Sequence, residues 1–182
     1  MKNIFLFFWE ISKIIIIALL IVMPIRYFIF QPFFVRGQSM EPNFQNGNYL
    51  IIDEISYRLR NPQRGEVVVF KYPLNPTQRY IKRIIGLPGE TVEVHDGKVD
   101  IYNSNGVPQI LDELNYLPNS TITAGNARFQ LSSSEYFVLG DNRSFSSDSR
   151  SWGLLPKEDI IGKVFLRVWP FAALAMVGTP AY

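Results

Sequence analysis

The longest apolar stretch of the chain lies near its N-terminus. Every residue from 14 to 25 is apolar or proline, and the apolar character continues through residue 30, interrupted by Arg26. As a helix, residues 11–30 have the length of about 20 residues that crosses a hydrocarbon core of ~30 Å. Lys13 and Arg26 lie near its two ends, where long cationic side chains can reach lipid headgroups. The pattern predicts an N-terminal segment, residues 1–30, that contains one transmembrane anchor helix in contact with membrane lipid.

Two other interpretations of this stretch fit the pattern less well. A buried core helix usually has a polar face, and residues 14–22 have none. A cleaved secretory signal ends at small residues, and residues 27–34 contain none. We therefore expect a retained anchor. Its orientation is not set by charge, because cationic residues lie on both sides of it.

After residue 31 the pattern changes to short β-type runs separated by turn residues. The clearest hairpin joins residues 91–95 to residues 98–102 through Asp96-Gly97, a pair that suits a type I′ turn. Residues 103–126 are rich in Asn, Gly, Pro and Ser and predict a compact loop insertion. Other strands are predicted at residues 49–53, 67–70, 80–85, 128–131, 136–139 and 160–169. The expected fold class is mainly β, with a single antiparallel domain over residues 31–182 attached to one membrane helix.

Composition narrows the functional classes. The chain has 182 residues, a formal net charge of +2, no cysteine and one histidine. The absence of cysteine excludes disulfides, thiol catalysis and cysteine-ligated zinc. A single histidine argues against a histidine-based metal site, and the small net charge gives no sign of a nucleic-acid surface. We expect no metal, no cofactor and no nucleic-acid partner.

A serine nucleophile in this chain needs a base other than histidine, because His95 falls in the predicted hairpin. Ser39 lies in the segment Gly-Gln-Ser-Met-Glu-Pro, residues 37–42, and Lys82 lies in Arg-Tyr-Ile-Lys-Arg-Ile-Ile-Gly, residues 79–86. Lysine acts as a base only when neutral, so its pKa of ~10.4 must fall by roughly three units, or about 4 kcal/mol. Burial among apolar groups lowers a lysine pKa in this way.

The strand pattern places Lys82 between two bulky neighbours on one face. Tyr80 and Ile84 share that face, while Arg83 points to the other side. Taken alone, Lys82 is more often a solvated lysine at a sheet edge. Taken alone, Ser39 is more often a turn residue. The pairing of the two segments is what favours catalysis.

A third segment, residues 140–153, is dense in polar side chains: Gly-Asp-Asn-Arg-Ser-Phe-Ser-Ser-Asp-Ser-Arg-Ser-Trp-Gly. One interpretation is a surface loop rich in Asx turns. The other is a support for the site, in which Ser146 holds the lysine amine and Asp–Arg pairs fix the loop.

With these three segments in order after an apolar span, the chain resembles the bacterial type I signal peptidases. The resemblance covers essentially the whole chain. It implies that Ser39 is the nucleophile, that Lys82 is the general base and that Ser146 orients the lysine. The residues that it implies as supports of the site are Asp141, Asn142, Arg143, Asp148 and Arg150. The residues that it implies at the substrate-binding surface are Phe33, Val35, Gly37, Gln38, Met40, Tyr80 and Ile81.

The resemblance also implies an activity and a location. We expect a membrane-bound serine endopeptidase that removes signal peptides from exported preproteins through an acyl-enzyme, after Ala-x-Ala-like small residues. The protein is expected to be a monomer in the cell membrane or an internal membrane, with one span and with its catalytic domain on the non-cytoplasmic face.

The chain departs from the family pattern at two positions. Some members carry a hydroxyl residue two places before the nucleophile, where this chain has Gly37. The oxyanion would then depend on the Ser39 N–H and water. Asn43 replaces a common threonine and is expected to keep its turn role.

Two alternatives from other classes remain at the level of sequence. A self-cleaving transcriptional repressor also uses a Ser/Lys pair on a β fold, but it needs a DNA-binding module in place of the apolar span. A membrane-tethered β adaptor would need neither Ser39 nor Lys82.

Overall fold

The computed structural model describes residues 2–28, 30–103, 106 and 108–180. The helices are α1 (Lys2–Phe28), α2 (Ser56–Leu59) and α3 (Ser149–Trp152), with short 3-10 helices at Arg143–Phe145, Lys157–Asp159 and Phe171–Ala173. The strands are β1 (Phe30–Phe34), β2 (Tyr49–Asp53), β3 (Val67–Tyr72), β4 (Asn75–Gly86), β5 (Thr91–His95), β6 (Lys98–Tyr102), β7 (Pro108–Ile110), β8 (Ala127–Gln130), β9 (Glu135–Leu139), β10 (Leu155–Pro156), β11 (Ile160–Trp169) and β12 (Ala175–Met176).

Two antiparallel sheets form the domain. The larger has the strand order β1-β2-β11-β3-β4-β9-β10, with β12 paired to β11, and the smaller has the order β7-β6-β5-β8. Four antiparallel steps separate β1 from β4, so these two strands run in the same direction. The expected mainly β, antiparallel architecture is confirmed.

The sheets meet where β4 ends. Val92, Ile101 and Phe137 belong to one buried apolar cluster that joins β9 to the smaller sheet. Gly86, the last residue of β4, allows this approach, because a Cβ atom there would lie 3.0 Å from Phe137 Cβ and closer still to Val92. A larger residue at this position would push the sheets apart.

The predicted strands are present in the structure, and four further short strands, β1, β7, β10 and β12, are added to them. The hairpin of β5 and β6 has positive φ angles of 48° at Asp96 and 78° at Gly97, as a type I′ turn requires. Short strand β7 lies inside the predicted loop insertion, and the two-residue strands β10 and β12 are too short to leave a pattern.

Strand β1 was also missed, because its five residues continue the apolar run of the preceding helix. Pro32 lies within it and is tolerated because β1 is at the edge of the sheet.

The predicted anchor segment forms helix α1, and its large apolar side chains between residues 6 and 20 are exposed. Residue 29 of the predicted span lies outside the described residues. Of the helices in the described part of the chain, none has the length and apolar character needed to cross a membrane.

Candidate active site

Ser39 is held in the connection between β1 and β2. Its carbonyl accepts a hydrogen bond of 3.0 Å from Asn142 N, and Asn142 Nδ2 donates to Gln38 O at 3.1 Å. On either side of the serine, Val35 and Met40 are buried in the core, with exposed fractions of 2% and 1%. The connection is therefore fixed by core packing beneath it and by the 140–153 segment beside it.

Lys82 lies on β4, opposite Val68 of β3. Its Nζ is 2.8 Å from Ser39 Oγ, which is within hydrogen-bond distance, and it also donates to Ile81 O at 2.8 Å. The structure thus brings together the two side chains predicted as nucleophile and base, which are 43 residues apart in the sequence.

The lysine amine is shielded from water. The Lys82 side chain is 3% exposed, its cross-strand neighbour Val68 is fully buried, and the Tyr80 ring centre lies 5.4 Å from Nζ. Burial lowers the pKa of Lys82 from 10.5 to about 8, while the carboxylates of Asp148 and Asp141 act in the opposite direction. The sequence-based expectation of a desolvated lysine agrees with this environment, and a substantial fraction of the amine is neutral near pH 8.

Ser146 does not make the hydrogen bond that we predicted. Its Oγ is buried and has no hydrogen-bond partner among the described residues. Instead, Ser146 packs against Gly140, where a Cβ atom would lie 2.5 Å from Ser146 Cβ and even closer to Ser39 O. Gly140 thus lets the serine of this segment and the backbone of the nucleophile approach each other closely.

Asp141 is paired with an arginine that the sequence analysis did not select. Arg83 Nε and Nη2 donate to its two carboxylate oxygens at 2.8 and 2.6 Å, and both residues are buried. Asn43 Nδ2 donates to Asp141 Oδ2 and to Tyr116 O, both at 2.8 Å. Asn43 therefore does more than the turn role expected of it: it ties the nucleophile's connection to the buried ion pair.

The Asp–Arg pairs that we predicted within the 140–153 segment are present in part. Arg150 Nε donates to Asp148 Oδ1 at 2.8 Å, and Asp148 Oδ2 accepts from Gly140 N at 3.1 Å. Arg143, in contrast, is paired with Glu113 of the 103–126 insertion, its Nη1 lying 2.7 Å from Oε2. The bond from Arg150 Nη2 to Arg143 O, 2.7 Å long, closes the network.

A cleft of about 610 Å³ opens at the serine and lysine. Its lining residues are Phe33, Phe34, Arg36, Gly37, Gln38, Ser39, Gln78, Arg79, Tyr80, Ile81, Lys82, Phe145 and Ser147. Five of the seven predicted substrate-binding residues are among them. Val35 and Met40 are not, because both side chains point into the core beneath the cleft.

The backbone N–H of Ser39 donates to none of the described residues, whereas Gly37 N donates to Asn46 Oδ1 at 3.0 Å. The Ser39 N–H is therefore free to face a developing oxyanion, and the Gly37 N–H is already engaged. In the described part of the chain, no three His, Cys, Asp or Glu side chains are grouped to hold a metal ion.

The chain is similar to known proteins along most of its length. The family model described as signal peptidase, peptidase S26, matches residues 8–169. The chain belongs to this family. It is thus a serine endopeptidase, a hydrolase of the signal peptidase type.

Two relatives of the family are similar along most of their length. A probable signal peptidase I-2 of Synechocystis sp. is 39% identical over 177 residues, which cover 92% of this chain and 76% of the relative. Signal peptidase IB of Staphylococcus aureus is 35% identical over 182 residues, with 90% of each chain covered. A crystal structure of a signal peptidase I from Enterococcus faecalis V583 is 33% identical, with a TM-score of 0.45 over 57% of this chain and 97% of that one.

The family match favours the peptidase over the repressor and the adaptor.

The residues that the sequence analysis missed are those whose partners are distant in the chain. Arg83 is buried and Glu113 is partly buried. The sequence offered one sign of the Arg83 ion pair: a charged residue inside the apolar strand β4 is rarely buried unless it is paired. Nothing in the sequence pattern marks Phe145 or Ser147 as cleft residues.

Proposed function

We propose that this chain removes signal peptides from exported preproteins with a Ser39/Lys82 dyad, and that it cleaves after small residues. The observation that carries the proposal is the 2.8 Å separation of Ser39 Oγ and Lys82 Nζ, with the amine buried at the base of a cleft.

The chemistry requires the neutral amine. Neutral Lys82 accepts the Ser39 proton while Ser39 Oγ attacks the scissile carbonyl carbon, and the carbonyl oxygen takes up the negative charge beside the Ser39 N–H. The C–N bond then breaks, and the lysine ammonium gives its proton to the leaving amine. Lys82, neutral again, accepts a proton from the water that hydrolyses the acyl-enzyme. Asp141, Asn142, Arg143, Asp148 and Arg150 support this arrangement by fixing the segment that borders it.

The substrate is proposed to bind as an added strand. On the side of β4 away from β3, strand β9 pairs with residues 83–86, so residues 75–82 keep a free edge within the described fold. An extended peptide can hydrogen-bond along this edge and reach the serine. Phe33, Tyr80 and Ile81 line the cleft, and their bulky side chains support the selection of small side chains before the cut.

We further propose that α1 associates with membrane lipid and that the catalytic domain lies on the non-cytoplasmic face. The exposed apolar side chains of α1 support lipid contact, because apolar surface of this extent is unfavourable in water. Location on that face follows from the proposed substrate, whose cleavage site emerges there.

One experiment tests the activity and the lipid association together. Membranes that contain the full chain should retain it after alkaline carbonate washing and should cleave an added preprotein. The Ser39→Ala variant should remain in the washed membranes but should not cleave, because its nucleophile is absent. A preprotein with bulky residues in place of the small residues before the cut should resist cleavage by the wild-type chain. Cleavage by Ser39→Ala would contradict the proposed nucleophile, and release of the chain by carbonate would contradict firm lipid association.

A further inference from the structure

Arg167, on β11, joins the C-terminal part of the chain to the connection that carries the nucleophile. Its Nε donates to Ala173 O at 2.7 Å, and its Nη1 donates to Asn43 O, also at 2.7 Å. The guanidinium carbon lies 6.0 Å from the ring centre of Phe44. Hydrogen bonds from a charged donor are stronger than those between neutral groups. One side chain thus fixes two segments to each other, although Asn43 and Arg167 are 124 residues apart in the sequence.

The chain after β11 folds back on that strand and orients the guanidinium. Arg167 pairs with Ala175 of the short strand β12. Between the two strands lies a single 3-10 turn, in which Ala173 N donates to Pro170 O at 2.8 Å. This turn presents the Ala173 carbonyl to the arginine. Arg167 is therefore held at its backbone and at its Nε, and its Nη1 is directed to the nucleophile's connection.

Asn43 is the residue through which this contact can reach the dyad. It follows Ser39 by four residues within one continuous turn. Its side-chain amide donates to Asp141 Oδ2 at 2.8 Å, while its carbonyl accepts from Arg167. Asn43 is thus fixed through both its side chain and its backbone. Because Ser39 Oγ reacts from 2.8 Å away from Lys82 Nζ, even a small shift of this turn would disturb the reacting pair.

We propose that Arg167 is a positioning residue for the peptidase reaction, and that it keeps the nucleophile's connection where Ser39 Oγ meets Lys82 Nζ. The inference rests on the proposed function, because it takes these two side chains as the reacting pair. Arg167 is not among the residues that line the catalytic cleft, so it acts on the attack by the serine and not on the binding of the peptide. The C-terminal segment contributes through Ala173 O, which holds the arginine in place.

Arg167→Met keeps the apolar stem of the side chain and removes both hydrogen bonds. We expect kcat to fall about tenfold, less than the ~10²-fold loss that follows a 1 Å displacement, and KM to stay within about twofold of the wild-type value. Arg167→Lys keeps a charged donor for one of the two carbonyls, so its kcat should lie within about threefold of wild type. Steady-state cleavage of one preprotein by the full chain in neutral detergent gives both constants.

Amide hydrogen exchange separates positioning from a general effect on stability. Within the connection, Phe44 N donates to Met40 O at 2.8 Å. In Arg167→Met, exchange of the Phe44 amide should be at least about threefold faster, while the amides of β5 in the smaller sheet keep their wild-type rates. Arg128→Met is the matched control, because it removes an exposed arginine from the smaller sheet. It should change neither kcat nor exchange in the connection.

The outcomes separate the inference from the function on which it rests. A wild-type kcat in Arg167→Met would overturn the inference and leave the proposed peptidase activity intact. Faster exchange throughout both sheets would also overturn it, since Arg167 would then stabilise the whole fold. An Arg167→Lys protein as slow as Arg167→Met would contradict the role of the charged donor. Failure of the wild-type chain to cleave the preprotein would overturn the proposed function as well.

Discussion

Replacement of Lys82 with Arg is expected to reduce preprotein cleavage by about 10³-fold or more. Arginine keeps its charge at every pH at which the protein is folded, so it cannot accept the Ser39 proton. The wild-type rate should rise with pH through about 8, because the neutral amine is the active form and burial sets the pKa of Lys82 there. Rates of cleavage of one preprotein between pH 6 and 10 measure both effects.

A second variant separates chemistry from folding in this experiment. A guanidinium in the buried site can destabilise the fold, whereas Lys82→Met keeps the length of the side chain without its charge. Lys82→Met should be folded and equally inactive. Lys98→Arg, on the exposed surface of the smaller sheet, should cleave at the wild-type rate. Substantial cleavage by Lys82→Met would show that another group is the base.

Gly140→Ala is expected to lower kcat/KM by about 100-fold, although residue 140 is not among the residues that line the cleft. The added Cβ would lie 2.5 Å from Ser146 Cβ and closer still to the carbonyl oxygen of Ser39. The carbonyl oxygen of Ser39 cannot move away from this Cβ without displacing the nucleophile, and a displacement of 1 Å can lower the rate by about 10²-fold. Overpacking should also reduce the free energy of unfolding by about 1–3 kcal/mol. Steady-state cleavage and thermal unfolding measure the two effects.

Gly178→Ala is the matched control, because a Cβ at residue 178 meets no atom within 4 Å. It should change neither the rate nor the stability. A Gly140→Ala protein with wild-type kcat/KM would mean that the close approach of residues 39, 140 and 146 is not needed for activity.

The elements with a strict local pattern could be predicted from the sequence. The β5–β6 hairpin follows from two alternating runs and a turn dipeptide that accepts positive φ, and all of that information lies within 12 residues. The strand that carries Lys82 was likewise predicted, as were its face and its apolar neighbours. The pairing of Ser39 with Lys82 was expected from the motifs rather than from any local pattern.

The side chains that depend on distant partners could not be predicted. Strand alternation places Arg83 on the face opposite Lys82, but it does not reveal that Asp141, 58 residues later, lies across from it. The resemblance implied that two further residues, Val35 and Met40, lie at the substrate-binding surface. Val35 and Met40 flank the nucleophile in sequence, yet the connection turns both side chains into the core.

The contacts of Ser146 could not be predicted for a similar reason. A hydroxyl in a polar segment was assigned to the lysine amine, whereas its actual position depends on the missing side chain of Gly140. Ser146 can approach Gly140 closely only because residue 140 has no side chain. A sequence pattern does not show which residues will pack against a glycine.

The pKa of the Lys82 amine is the most direct test of the dyad. It can be measured by NMR on the full chain labelled with 13C-lysine, with the Lys82 signal assigned by its loss in Lys82→Met. We expect the Lys82 amine to titrate at a pKa of about 8, below the ordinary lysine value of 10.5, because the side chain is buried. Titration near 10.5 would show a solvated, protonated amine at working pH, and Lys82 would then not be the base that activates Ser39.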